Sequence, residues 1–431
     1  MGQNGLRPPP GRIVNAIKAK RSDPLARTVC MVVHDHYPKD VRVWRAARAA
    51  TEAGWRVTVV CLRHPDEAAL EELEGVSVRR LPVEHRPGSK LARMLGEYAA
   101  FTLLATWTVL RLHLRTPQAV VHINNPPDFL VLAAIIPKLR GSQVIFDVHD
   151  LTPLMFDVRF RGRTAARPVI NALTVQQRLA CNFADRVLTP HQPSACRISE
   201  SGVPLEHIEI MMNPPDGEVL DRVLAKAPTQ APRDGLLIAY HGTVTHWYGI
   251  DLIVDAIAEL RHELPDMRAM ILGAGDAVDE VAQHIRALGL EDRIELPGHF
   301  LPNEEALSAV RNADCGIVPN LPSALNDLTL SGKLLDYALL GVPAVVAELE
   351  VQAAHFDATE VTFFKPGDPH SLAEAIRWVS ENPELARAKA ERARHRADAY
   401  SWPHQRDAYQ GLLDELAEAR APLAETSPSP A

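Results

Sequence analysis

Apolar runs bounded by polar turns recur along this chain with the rhythm of alternating strands and helices. Thr28 to Val33 is an unbroken run of β-branched and aliphatic residues and reads as a strand buried on both faces. The loop HDHYPKD follows, then a helical stretch from Val41 to Ala53 that Gly54 ends, then a second strand from Arg56 to Leu62. Strand, helix and strand within about 35 residues form a βαβ unit. Val76 to Leu81, Val120 to Ile123, Val144 to Val148 and Val187 to Leu188 continue the pattern, with helical stretches between them.

The rhythm breaks at PPDGEVLDRVLAKAPTQAPRDG (214–235), which carries four prolines and little apolar periodicity. It resumes with strands at Leu236 to Tyr240, Met270 to Leu272, Ile294 to Leu296, Gly316 to Val318 and Ala344 to Ala347. Helices around 250–261, 276–287 and 304–312 separate them. The pattern predicts two doubly wound, Rossmann-like α/β domains facing a central cleft, with ligands at the carboxyl ends of the strands. Residues 1–26 read as a flexible arm, 27–215 as the first domain, 216–234 as a linker and 235–400 as the second domain. A last helix at about 402–419 is expected to pack back on the first domain, and 421–431 to form a disordered tail.

One stretch carries more chemistry than the rest: TLSGKLLDYALLGVPAVV, residues 329–346. Ser331 is placed to cap a short helix, Gly341 suits the left-handed position past its end, and Pro343 forbids continuation. Lys333 falls in the first turn, with Asp336 and Tyr337 three and four residues on, so the three share one face. A helix N-terminus with a lysine attracts phosphate, and an aspartate one turn deeper can accept from two sugar hydroxyls. The bland alternative is a surface helix whose Lys and Asp are simply solvated.

Composition narrows the partners. Of 46 basic and 54 acidic residues, 28 and 19 fall within residues 1–215, a balance of +9, while the remainder carries −17. A basic half points to an anionic surface or lipid phosphate. Nucleic acid is disfavoured, because no recognised motif or aromatic–basic interleaving accompanies the charge. Five scattered cysteines show no metal or disulfide spacing, which suits a reducing cytoplasm, and no apolar segment of signal-peptide type follows the basic start. The segment Glu97 to Leu114 is apolar and flanked by Lys90, Arg93, Arg111 and Arg115. It reads either as a core helix or as an interfacial helix at a membrane surface.

These residues resemble the family-4, group 1 type of retaining glycosyltransferase with the GT-B fold, over about residues 28–418. The resemblance runs through PKDVRVWRAARAATEAGWRVTVV (38–60), VVHINNPPDFLVLAA (120–134), VIFDVHDLTP (144–153), ADRVLTPHQPS (184–194) and MMNPPD (211–216). It continues through YHGTVTHWYGIDLIVDAIAEL (240–260), ILGAGD (271–276), LPGHF (296–300) and, most specifically, KLLDYALLGVPAVVA (333–347). It implies transfer of a hexosyl group from a nucleotide diphosphate sugar, with retention and without a metal or other cofactor. The basic first half and the 97–114 helix add a lipid-linked or polysaccharide acceptor to that expectation, with a cytoplasmic enzyme peripheral at the inner face of an anionic membrane.

By the same resemblance, Gly242, Thr243, Ser331, Gly332, Lys333, Leu334 and Asp336 bind the donor. Lys333 holds the diphosphate and stabilises its departing charge, and Asp336, the second acid of a Glu-x7-Glu pattern, grips ribose. His149 stands beside the transferred sugar, although His149 with Asp150 also reads as a structural pair. His34, Arg42 and Asp150 face the acceptor. The chain departs from the family at Leu328, where the first glutamate is expected, and at Leu154. It also departs at Trp247 and Tyr248, where a basic residue often meets phosphate. These departures keep open a glycosyltransferase-like subunit without donor chemistry; a nucleotide-sugar epimerase of the same fold is a further alternative. An NAD enzyme is disfavoured, because ILGAGD has too few glycines and lies deep in the second domain.

Overall fold

A computed structural model describes residues 27–85, 91–159, 167–215, 217–226, 235–324 and 326–419. The expected arm at 1–26, the tail at 421–431 and residues 216 and 227–234 of the expected linker lie outside these residues; the rest of the linker is largely a helix, Gly217–Ala225, that buries Leu220 and Val223.

The first sheet contains eight strands: β1 (Thr28–Val33), β2 (Arg56–Leu62), β3 (Leu70–Leu73), β4 (Val76–Leu81), β5 (Val120–Asn124), β6 (Gln143–Asp147), β7 (Arg186–Thr189) and β8 (Ile208–Ile210). Their order across the sheet is β3-β4-β2-β1-β5-β6-β7-β8, and every pair except β3–β4 is parallel. The second sheet has β9 (Leu237–His241), β10 (Arg268–Leu272), β11 (Ile294–Glu295), β12 (Cys315–Val318), β13 (Ala344–Ala347) and β14 (Thr362–Phe364). Its order is β11-β10-β9-β12-β13-β14, all parallel. Helices cover the faces, so the central strands are buried throughout: all six residues of β1 and all four of β12 and β13 are enclosed.

Three strands have no counterpart in the sequence reading. β3 is an exposed antiparallel edge of sequence LEEL, without apolar alternation. β8 and β14 have three residues each, too few for a period to register.

Strand order fixes where a ligand can sit. In the first sheet the chain reverses its winding between β1 and β5, and in the second between β9 and β12. Each reversal opens a crevice at the carboxyl ends of the strands. The register then levels those ends, with Val33 beside Asn124 and Asn124 beside Asp147. In the second sheet His241 lies beside Leu272.

Contacts between distant segments tie the halves together. The helix Trp402–Ala419 crosses back onto the helix Val41–Glu52 of the first sheet's layer. Its Tyr409, Leu412, Leu413 and Leu416 join that core, while Asp414 accepts from Arg27 and from the Trp55 indole. Leu328, from the loop before the helix Gly332–Leu340, packs into the other core of the first sheet.

The apolar segment 97–114 belongs to the helix Leu91–Arg115. Phe101, Ala105 and Val109 form a buried stripe at helical spacing. The opposite side is also apolar: Leu103 is 73% exposed, Trp107 52% and Leu114 58%. The core-helix reading therefore holds for the face that carries Phe101, Ala105 and Val109. No helix among the described residues is long and apolar enough to cross a membrane.

Candidate functional site

The donor-side candidates converge at the end of β9. Gly242 follows that strand with φ 111°, and a Cβ there would stand 3.1 Å from the Lys333 Cε. Glycine thus supplies both the left-handed backbone and the room for Lys333 to cross the turn. Gly273, after β10, is more constrained still, since a Cβ on it would lie 1.8 Å from the Gly242 carbonyl oxygen. Thr243 continues the turn, and its carbonyl accepts from the Tyr240 hydroxyl.

Lys333 lies in the first turn of the helix Gly332–Leu340, which ends as expected at a left-handed Gly341 (φ 70°). Its Nζ stands 4.2 Å from the Tyr248 ring centroid and 5.1 Å from that of Tyr240. Tyr248, where the sequence departs from the family, thus holds a lysine from another element over its ring. Burial pushes the Lys333 ammonium down from 10.5 to about 8, against the pull of Asp336. A dianionic ligand would reverse that displacement.

Ser331 occupies the N-cap position, but its hydroxyl caps nothing, contrary to expectation. Its backbone carbonyl accepts from Leu334, while the buried Oγ has no partner. The first-turn amides are therefore left unclaimed by a side chain. Leu334 itself is fully buried, so it can offer a ligand only its backbone.

Asp336 is not free. His241 Nε2 lies 2.9 Å from its Oδ2, and His241 Nδ1 is 3.4 Å from the Tyr337 hydroxyl. Sequence reasoning missed His241, although its place at the last residue of a strand beside Gly242 was a readable signal.

On the facing wall, β6 ends at Asp147, a fully buried carboxylate. Arg42 grips it with two hydrogen bonds, Nε to Oδ2 and Nη2 to Oδ1, both 2.8 Å, and donates Nη1 to the Met211 carbonyl at 2.6 Å. Burial opposes ionisation of Asp147, but the Arg42 guanidinium, with His149 and His122, outweighs it and holds the carboxyl well below the usual range. Arg42, expected on the acceptor side, is thus engaged in positioning Asp147. Burial keeps His122 neutral; its Nδ1 pairs with the Tyr409 hydroxyl at 2.8 Å and its Nε2 is 3.7 Å from Asp147.

His149 does not pair with Asp150 through its ring. Its Nε2 lies 3.3 Å from Asp147 Oδ2 and 3.2 Å from Asn124 Oδ1. With two acceptors in reach, Nε2 carries the proton and Nδ1 is left as an acceptor, a tautomer assigned from these contacts. The Asn125 side chain fixes the backbone, accepting from the His149 amide at 2.7 Å and donating to the Asp150 carbonyl at 2.8 Å. Burial raises the Asp150 carboxyl above its ordinary value.

Two spaces open between these walls and a third lies within the first domain. His149, Arg42 and Asp40 share a cavity of about 380 Å³ with Gly332, Thr329 and Leu330, so the helix tip and the histidine face one space. A larger cleft of about 950 Å³ runs between Tyr98, Asp150 and Phe156 on one side and Thr243, Trp247 and Tyr248 on the other. A third, of about 290 Å³, joins His34, His85 and Asp150 to His149. Leu328, at the position of the absent glutamate, faces none of them. It is buried in the first sheet's core, and its carbonyl accepts from Ser194 at 3.4 Å.

His34 sits deep in the third space, its ring edge-on to Tyr98 (4.7 Å) and Phe101 (5.0 Å). Burial pushes its imidazole down to about 4, so it is neutral.

Comparison with known proteins agrees with this geometry. Residues 40–214 match the family described as glycosyl transferase 4-like domain, and residues 235–382 match glycosyl transferases group 1. The chain is a group 1 glycosyltransferase. It is similar to 2-deoxystreptamine glucosyltransferase of Streptomyces kanamyceticus, 24% identical over 358 residues, covering 80% of this chain and 89% of that one. Among solved structures it resembles sucrose-phosphate synthase of Thermosynechococcus elongatus (TM-score 0.68, 15% identity, 91% of this chain and 100% of the other). It also resembles HepE of Anabaena in complex with UDP-glucose (TM-score 0.61, 14% identity, 90% and 99%). The fold of this glycosyltransferase is therefore GT-B, two parallel-sheet α/β domains.

Proposed function

We propose that this glycosyltransferase moves a hexosyl group from a nucleotide diphosphate sugar to a lipid-linked or polysaccharide acceptor, with retention at the anomeric carbon. The observation that carries the reading is the single cavity lined by both the N-terminal end of the helix Gly332–Leu340 and His149. A diphosphate at the helix tip meets unclaimed amides and Lys333, and ribose one turn deeper meets Asp336. The transferred sugar then lies against His149, whose Nδ1 accepts from a sugar hydroxyl. As the bond to phosphate breaks, negative charge grows on the diphosphate where Lys333 and the amides already point, so this donor chemistry runs without a metal ion. UDP-glucose bound to HepE supports a nucleoside diphosphate hexose as donor.

The acceptor side belongs to the first domain. Its net charge and the apolar ridge Leu103, Trp107 and Leu114 support docking at an anionic membrane surface on the cytoplasmic side. Arg111 lies over the Trp107 ring at 4.4 Å, which places a cation at the edge of that ridge.

His149→Ala tests the reading against its rivals. Expected is a fall in turnover of about 10²-fold or more, with nucleotide affinity nearly unchanged and a native melting temperature. Normal donor hydrolysis with a lowered melting temperature would make His149 a structural residue. No donor hydrolysis by the parent protein under any nucleotide sugar would favour the subunit without donor chemistry.

A further inference from the structure

No Asp-x-Asp or His/Asp cluster at ligand spacing is visible in the sequence, yet the fold brings two histidines and a glutamate together. His34 from the loop after β1, His85 from the segment after β4 and Glu97 from the helix Leu91–Arg115 bring one donor atom each within 4.8 Å of one another. Glu97 Oε1 is 2.6 Å from His85 Nδ1 and 3.1 Å from His34 Nε2. His34 and Glu97 are enclosed, with 3% and 5% of their side-chain surface exposed, while His85 is 37% exposed and forms the mouth.

The second observation is an orphan. His34 Nε2 is buried and makes no hydrogen bond, because Glu97 Oε1, though near, lies outside the ring nitrogen's bonding direction. A buried imidazole nitrogen without a partner is costly unless something occupies its lone-pair direction. The ring cannot turn away, since Tyr98, Phe101 and His85 all meet it edge-on.

We propose that His34, His85 and Glu97 form a binding site for a divalent transition-metal ion of the zinc type, on the acceptor side of the cleft. The donor set is two imidazoles and one carboxylate, which selects zinc over magnesium or calcium. Ligands at about 2.0–2.2 Å around a tetrahedral ion stand roughly 3.3 Å apart, so the site needs a shift of the half-exposed His85 side chain to bring all three donors to that spacing. The remaining coordination position opens on the cavity that His34 and His85 share with His149 and Asp150. An ion there would tie the start of the long helix to the end of β1 and present an electrophile to acceptor oxygen atoms. The site is separate from the diphosphate site on the second domain and stands whether or not the donor reading does.

The test uses tag-free full-length protein stripped with a chelator, then titrated with Zn²⁺ by calorimetry and with Co²⁺ by visible absorption. Expected are one equivalent of Zn²⁺ and the d–d bands of a four- or five-coordinate cobalt site. His85→Ala and Glu97→Gln should each weaken Zn²⁺ affinity about tenfold or more. His85 is at the mouth, so its variant keeps the fold, and circular dichroism checks both. Absence of stoichiometric Zn²⁺ binding overturns the proposal, as does binding that His85→Ala leaves unchanged. A six-coordinate cobalt spectrum, or equal affinity for Mg²⁺, also overturns it.

Discussion

Replacing Lys333 with methionine should make the unliganded protein more stable while removing its grip on diphosphate. Methionine has a similar reach, packs against Tyr240 and Tyr248, and carries no charge. Lowering the ammonium from 10.5 to about 8 corresponds to roughly 3 kcal/mol of disfavoured charge in the folded state. Lys333 keeps some contact with solvent, and methionine forfeits the cation–π attraction, so the expected gain at pH 7 is about 1–2 kcal/mol. That is a few degrees in melting temperature for a domain of this size. The pH dependence identifies the cause. Between about 8 and 10.5 the unfolded chain holds a proton on Lys333 that the folded chain does not, so wild-type stability rises with pH in that window. The variant lacks this rise, and its advantage should shrink from pH 7 to pH 10. Urea denaturation followed by tryptophan fluorescence at pH 7, 8.5 and 10 reads both effects. Calorimetry with nucleoside and nucleoside diphosphate reads the third, a loss confined to the diphosphate. A variant less stable at pH 7, or an advantage independent of pH, would refute the reasoning.

Asp336→Asn should weaken nucleotide binding by about 1–3 kcal/mol, and the penalty should vanish with a 2′,3′-dideoxy nucleotide; if it persists, Asp336 does not hold ribose. Tyr409→Phe leaves His122 Nδ1 without its 2.8 Å partner in a buried network, and should cost about 1–3 kcal/mol by urea denaturation with nucleotide affinity unchanged. Co-sedimentation with vesicles should require anionic lipid, weaken with salt and weaken further when Arg111 and Arg115 become Ser; equal binding to neutral vesicles would remove the electrostatic part of that proposal.

The sequence by itself determined what local physics controls. Apolar runs gave the central strands, because a parallel strand covered on both faces admits only apolar residues. Gly341 and Pro343 marked the end of the helix Gly332–Leu340, because backbone conformation at a helix terminus depends on one or two residues. Motif order carried the family. Tertiary structure decided every partnership between distant residues. The adjacency of His149 and Asp150 suggested a pair, but successive side chains at a strand end diverge, and the register of β5 and β6 hands His149 to Asp147 and Asn124 instead. Ser331 had the residue type of a cap without the geometry. Leu328 looked like a lost glutamate and is a hydrophobic tie between domains. His34, His85 and Glu97 meet only because a strand end, a connecting segment and a helix are folded onto one point. Such convergence leaves no spacing to read, since it depends on strand order and helix packing rather than on separation along the chain.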